Sequence, residues 1–227
     1  MPKYKFKLII WDFDGVIADT ENHYLQNRLT AVNEILKLNW DLGELKKHIC
    51  GMSDVRSEEV FKKLGIATGE KFWHRVHELD KQMMSDGFSL NPGIEKILSN
   101  QNFRQCIATG GNKEKTAVKM KVVNVEKYFK PENIFTGDLV AHGKPEPDLF
   151  LLAAEKMGVA PQDCIVVEDS IAGLKAGLKA KMHTAAYIGC AIHNNDNYRQ
   201  EIANMGIEHI FDDMDDFNRY LLNQYEA

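Results

Sequence analysis

Asp12 and Asp14 stand two residues apart at the end of the apolar run Leu8-Ile9-Ile10-Trp11, and Gly15 follows at once. Carboxylates seldom follow directly on a buried strand unless something binds them. In an extended segment, residues two apart face the same side. The two acids can therefore converge on one ligand, while Gly15 lets the chain turn away. Three more polar groups close later apolar runs. Thr109-Gly110-Gly111-Asn112 offers a hydroxyl and freely approachable backbone N–H groups at a helix start, which is phosphate-binding chemistry. Gly143-Lys144-Pro145 holds a lysine between two conformationally special residues. Glu168-Asp169-Ser170 puts two adjacent acids after a strongly apolar run. Asp12, Asp14, Glu168 and Asp169 at one strand edge would repel and raise one another's pKa values. A bound cation resolves this, and an all-oxygen ligand set favours Mg2+ over zinc. Mg2+ and Lys144 facing a hydroxyl and backbone N–H groups make a phosphoryl site.

The elements that must position these groups are legible as alternation. Strand-length apolar runs occur at residues 8–11, 106–108, 134–135, 164–167, 184–188 and 209–211. Helix-like segments separate most of them: one opened by Asn91-Pro92-Gly93, with Asn91 as N-cap and Pro92 at the first helical position, then 112–124, 147–157 and 170–180. This pattern implies an α/β fold with a doubly wound parallel sheet covered on both faces. The residues between Asp14 and the second strand break the alternation and read as helical, over 20–38, 53–64 and 70–84. The expected organisation is a core of residues 1–17 and 89–227 with an inserted all-helical cap, 18–88. The tail from 194 is expected to add a last strand and helix, with the acids of 212–216 in a solvated turn.

Composition excludes several classes. A net charge of -5 and no long basic stripe give no basis for nucleic-acid binding. No apolar run approaches the roughly 20 residues of a membrane span. The basic N-terminal residues precede too short an apolar stretch for a signal peptide. Cys50, Cys106, Cys164 and Cys190 are scattered without a CxxC pair, so reduced thiols in a cytoplasmic protein are expected, Cys106 and Cys164 as core residues. A monomer is the default expectation.

Taken in order, these motifs resemble those of the haloacid dehalogenase superfamily, in the branch of β-phosphoglucomutase and sugar-phosphate phosphatases. Asp12-Phe13-Asp14-Gly15-Val16-Ile17 resembles the first motif, Thr109 the second-motif Ser/Thr and Lys144 the third-motif lysine. Glu168-Asp169-Ser170 with Ala172-Gly173 resembles the fourth. Asp19-Thr20-Glu21 and Gly51-Met52-Ser53 are similar to that branch's cap-entry and cap-loop elements. The resemblance implies Asp12 as nucleophile and Asp14 as acid and base. It implies Thr109, Lys144, Gly110 and Gly111 as phosphate-binding groups, and Gly51 and Ser53 as cap contacts to a small phosphorylated metabolite. It assigns Mg2+ to the Asp12 side chain, the Asp14 backbone carbonyl and Asp169, with Glu168 nearby or through water. Asp14 argues against dehalogenation, which lacks an acid/base there. The mutase's cap arginine is replaced by Asp54, an acid that would oppose a second phosphate. Its cap-entry histidine is Tyr24, with His23 one place away. Hydrolysis of a sugar or polyol phosphate is therefore expected over phosphosugar isomerisation. A receiver-like or non-catalytic phosphate-binding switch is the remaining alternative, and the large insertion argues against it.

Overall fold

Leu8–Trp11 is buried at all four positions, which a strand manages only where both faces of its sheet are covered. The computed structural model describes residues 3–49, 52, 54–189 and 196–226. The chain divides into two compact units, Met1–Asp19 with Ser89–Ala227, and Thr20–Phe88.

In chain order, β1 (Lys3–Tyr4) and β2 (Leu8–Trp11) lead into the inserted unit. That unit holds α1 (Glu21–Ala31), α2 (Leu42–Ile49), α3 (Asp54–Lys63) and α4 (Gly69–Asp86). The helix expected over 20–38 is interrupted: α1 widens into a single π turn, Val32–Leu36, and Lys37 adopts a left-handed φ of 57° that ends it. The sequence reading missed α2, although Leu42, Leu45 and Ile49 mark one of its faces at helical spacing. Leu45, Ile49, Phe61, Phe72 and Val76 are buried as the unit's interior.

The chain then forms α5 (Ile94–Leu98), β3 (Gln105–Thr109), α6 (Lys113–Val122), β4 (Ile134–Thr136), α7 (Asp148–Lys156), β5 (Cys164–Glu168), α8 (Ile171–Lys179), β6 (His183–Tyr187), α9 (Asp196–Asn204), β7 (His209–Phe211), α10 (Met214–Asn223) and β8 (Tyr225–Glu226). β2 to β7 form a six-stranded sheet in the order β4-β3-β2-β5-β6-β7, parallel at every pairing. This is the doubly wound topology, and its strand order reverses between β2 and β5. Leu8, Ile10, Cys106, Ala108, Val166, Phe150 and Ala153 share one core cluster. Cys106 and Cys164 are free buried thiols. Burial pushes the Cys106 thiol well up and raises Cys164 to about 11, so both are inert packing groups near neutral pH. Cys50 and Cys190 lie outside the described residues.

The tail differs from expectation. It contributes two helices, α9 and α10, and β8 pairs antiparallel with β1. The acids of 212–216 start a helix rather than form a solvated turn: the Asp213 carboxylate accepts from Asp215 N, and Met214 is buried. Among the described residues, no helix is long and apolar enough to cross a membrane.

Asn91 also departs from its expected role. Gly93, at φ 82°, precedes α5, and Pro92 lies ahead of the helix. The Asn91 side chain instead donates to Gly15 O (2.9 Å) and Val16 O (2.8 Å), inside the protein. Asn91→Ala leaves both buried carbonyls short of a donor and is expected to cost about 1–3 kcal/mol. In a chain of this size that is a fall of several degrees in Tm, about 2–4 °C per kcal/mol. An unchanged melting curve would show that this tether does not hold the Gly15 turn.

Candidate active site

The site begins where β2 stops. Asp12 N donates to Val167 O at 3.0 Å, so the ladder to β5 carries Asp12 to the reversal point of the strand order, beside Glu168 and Asp169. Gly15 then turns the chain at φ 79°, with Gly15 N on Ala18 O at 2.8 Å and Ile17 N on Phe13 O at 3.0 Å. A Cβ on Gly15 would run into the Asp169 carboxylate. Glycine is therefore required both by the backbone and by the acid packed against it.

Lys144 is the hub. Its Nζ lies 2.5 Å from Asp12 Oδ1 and 2.5 Å from Glu168 Oε1, and 5.0 Å from the Phe150 ring centre. Glu168 is only 1% exposed. Its second oxygen accepts from Ser170 N and Ser170 Oγ, both at 2.9 Å, and Ser170 Oγ caps α8 by accepting from Gly173 N. A Cβ on Gly173 would meet the Glu168 carboxylate. Glu168 is thus fixed as the seat of Lys144. Lys144 and Ser170 engage both its oxygens, which suits the expected place of Glu168 near a metal or bound to it through water.

Burial raises the Asp12 pKa well above the ordinary carboxylate value; Lys144 opposes that rise, and the charges of Glu168, Asp169 and Asp14 add to it. Asp169 is raised for the same reason, burial first and then Glu168. For Lys144, burial disfavours the charge, but Asp12 and Glu168 outweigh it and hold its pKa above the ordinary lysine value. These mutual effects place Asp12, Asp14, Lys144, Glu168 and Asp169 in one electrostatic cluster.

Thr109 ends β3, buried, and its Oγ1 accepts a long bond from Gly111 N at 3.4 Å. Gly111 O accepts from Gly137 N at 2.9 Å, pinning the Gly110-Gly111 turn. Asn112 caps α6 by accepting from Lys115 N at 2.9 Å, leaving the first N–H groups of that helix at the turn.

Sequence reasoning missed Lys119. It projects from α6 with its ammonium on Asp14 Oδ2, is 4% exposed, and lies 5.5 Å from the Phe13 ring centre. A signal was present: Thr116, Lys119 and Met120 are the buried residues of α6, at spacings of three and four. Among the lysines of that helix, only Lys119 falls on this face. Its contact engages the Asp14 side chain, whereas the metal expectation for Asp14 concerns the main-chain carbonyl.

The four carboxylates therefore face two ammonium groups, Lys119 and Lys144, an excess of two negative charges in a largely buried place. A divalent cation with oxygen ligands fits that deficit. Among the described residues, no three His, Cys, Asp or Glu side chains form a ready-made cage. Mg2+ needs none, since one or two carboxylates, water and a substrate phosphate suffice.

Of the expected cap contacts, Gly51 and Ser53 lie outside the described residues. Within the helical unit, Arg28 is buried, with NH2 on Asp54 Oδ1 and NH1 on Tyr24 O at 3.1 Å, and His77 Nε2 lies 3.3 Å from Asp54 Oδ2. The repulsion expected of Asp54 is thus answered within its own unit. His48 is engaged by Glu44 at 3.1 Å, and His23 and Arg56 are exposed.

An open parallel sheet with paired acids, a lysine and a hydroxyl-glycine turn at its reversal point is the arrangement of a phosphoryl site. Residues 9–187 match the family model of the haloacid dehalogenase-like hydrolases, and the chain belongs to that family. It is 29% identical over 177 residues to a phosphorylated carbohydrates phosphatase of Thermotoga maritima, covering 76% of this chain and 80% of that one. It is 30% identical over 187 residues to a β-phosphoglucomutase of Bacillus subtilis, covering 78% and 80%. A conserved haloacid dehalogenase-like protein of unknown function from Agrobacterium tumefaciens shares the fold, with a TM-score of 0.86 at 24% identity over 96% of this chain and 98% of that one.

Proposed function

We propose that this protein is a Mg2+-dependent phosphatase that hydrolyses a small phosphorylated metabolite, a sugar or polyol phosphate, through an aspartyl-phosphate on Asp12. The observation that carries this reading is the Asp12 carboxylate, held by Lys144 at 2.5 Å beside a second acid, Asp14, at the strand-order reversal. The curated names of relatives, a phosphorylated carbohydrates phosphatase and a hexitol phosphatase among them, support the substrate class.

One Asp12 oxygen attacks phosphorus as the ester P–O bond breaks. Asp14 gives its proton to the departing alkoxide, then takes one from the water that attacks the aspartyl-phosphate. That second attack breaks the bond between phosphorus and Asp12 and releases phosphate. Lys144, Thr109 and the N–H groups of the Gly110-Gly111 turn hold the non-bridging oxygens as charge builds on them. Asp12, Asp169 and the Asp14 carbonyl would hold Mg2+, which supplies Lewis-acid neutralisation of the phosphoryl charge. Glu168 acts through Lys144.

Phosphatase is favoured over mutase because the buried cation of the helical unit, Arg28, has its two terminal NH groups on Asp54 and the Tyr24 carbonyl. It is not a guanidinium held open for a second phosphate. The test is a panel of phosphosugars and polyol phosphates, assayed for both free phosphate and isomerised sugar phosphate. Phosphate release that needs Mg2+ and stops with EDTA is expected. Isomerisation without phosphate release would overturn the phosphatase reading.

A further inference from the structure

We propose that Lys119 is a positioning residue for the leaving-group step: it anchors the Asp14 carboxylate and holds the negative charge Asp14 acquires when it protonates the departing alcohol. The inference rests on the phosphatase reading and names a part of the site that the reading does not supply.

Lysine is among the residues least often fully buried, and burying its charge is costly unless it is paired. Here the ammonium of a 4% exposed lysine is bonded to Asp14 Oδ2. Lys144 serves Asp12 and Glu168 instead. The two cations thus divide the acids between them, one on the nucleophile's side and one on the proton carrier's. The Phe13 ring flanks the ammonium at 5.5 Å from its centre, where an aromatic face favours a cation. A carboxyl group that has just given up its proton is a new anion in a partly buried place, and an ammonium already bonded to it stabilises that product without reorganisation.

This role has a signature that a purely structural ion pair lacks. A sugar alkoxide is a poor leaving group and needs the proton. p-Nitrophenolate is a good one and leaves without it. The experiment measures the first turnover by rapid quench for Lys119→Met and Lys119→Gln. One substrate is the sugar phosphate hydrolysed fastest by the wild type, and the other is p-nitrophenyl phosphate. Lys119→Met is expected to slow the first turnover of the sugar phosphate about 100-fold, the lower range of general acid catalysis, and that of p-nitrophenyl phosphate less than about threefold. Lys119→Gln keeps a donor without the charge; it should fall between, and it carries the comparison if the Met variant does not fold. Equal losses on both esters, or no loss on either, would overturn the inference while leaving the phosphatase reading intact. A wild type that releases phosphate from neither ester would overturn that reading and this inference with it.

Discussion

Asp12→Asn is expected to lower kcat for the best sugar phosphate by about 10⁴-fold or more, the scale on which removal of a nucleophile acts. The amide keeps the size of the carboxylate but cannot attack phosphorus, so the loss should appear in kcat with little change in KM. Acid-quenched wild-type protein, mixed with excess labelled substrate, should retain label in a base-labile acyl-phosphate; the Asn variant should retain none. The substitution should change stability little, because Lys144 keeps Glu168 as its partner. Burial and the neighbouring acids Glu168, Asp169 and Asp14 raise the Asp12 pKa, so removing its charge relieves repulsion in the metal-free protein. Retention of multiple turnovers in the variant would remove Asp12 from the chemistry.

Lys144→Met is the second large effect, and it should strike activity and stability together. Taking away the ammonium leaves Asp12 and Glu168 facing each other without the cation that both touch at 2.5 Å. Losing one partner of a buried ion pair costs about 3–5 kcal/mol, and losing a charge aimed at the phosphoryl oxygens costs about 10²–10³ in kcat. The deficit has a pH sign. Asp12 and Asp169 carry raised pKa values in the fold. Their contribution to metal-free stability is therefore complete below the ordinary carboxylate pKa, about 4, and is lost as pH rises through the raised values. Without Lys144 that loss deepens, so the Tm difference from wild type should be larger at pH 8 than at pH 5 in EDTA. The double variant Lys144→Met with Glu168→Gln should recover part of the stability and none of the activity. A Lys144→Met protein as stable as wild type at pH 8 would mean that the acids are not buried together as described.

Much of this was legible because short apolar runs report a covered parallel sheet directly. β7 coincides with its expected residues, and β2, β3 and β5 carry their acids or hydroxyl at the C-terminal ends where the sequence put them. Asn91 illustrates what was hidden. Asn-Pro-Gly is chemically a good helix start, but two carbonyls of a turn 75 residues away claimed the amide first. Lys119 was hidden differently. In a helix carrying several lysines, composition says surface, and only the register with Thr116 and Met120 separates the one that turns inward. α9 was overlooked because Ile202 is its one buried residue, too little for a periodic pattern.

The bond from Asp19 N to Ser89 O, at 3.0 Å, and the bridge between Ala18 and Leu90 have a further consequence. They clasp the two strands of chain that lead out of the sheet unit and back into it, so 69 residues depart and return through points one hydrogen bond apart. The entropy of closing such an excursion grows only with the logarithm of its length. Descendants of this chain can therefore lengthen, trim or exchange the excursion at little cost to the sheet. The clasp makes the architecture a socket as well as a catalyst.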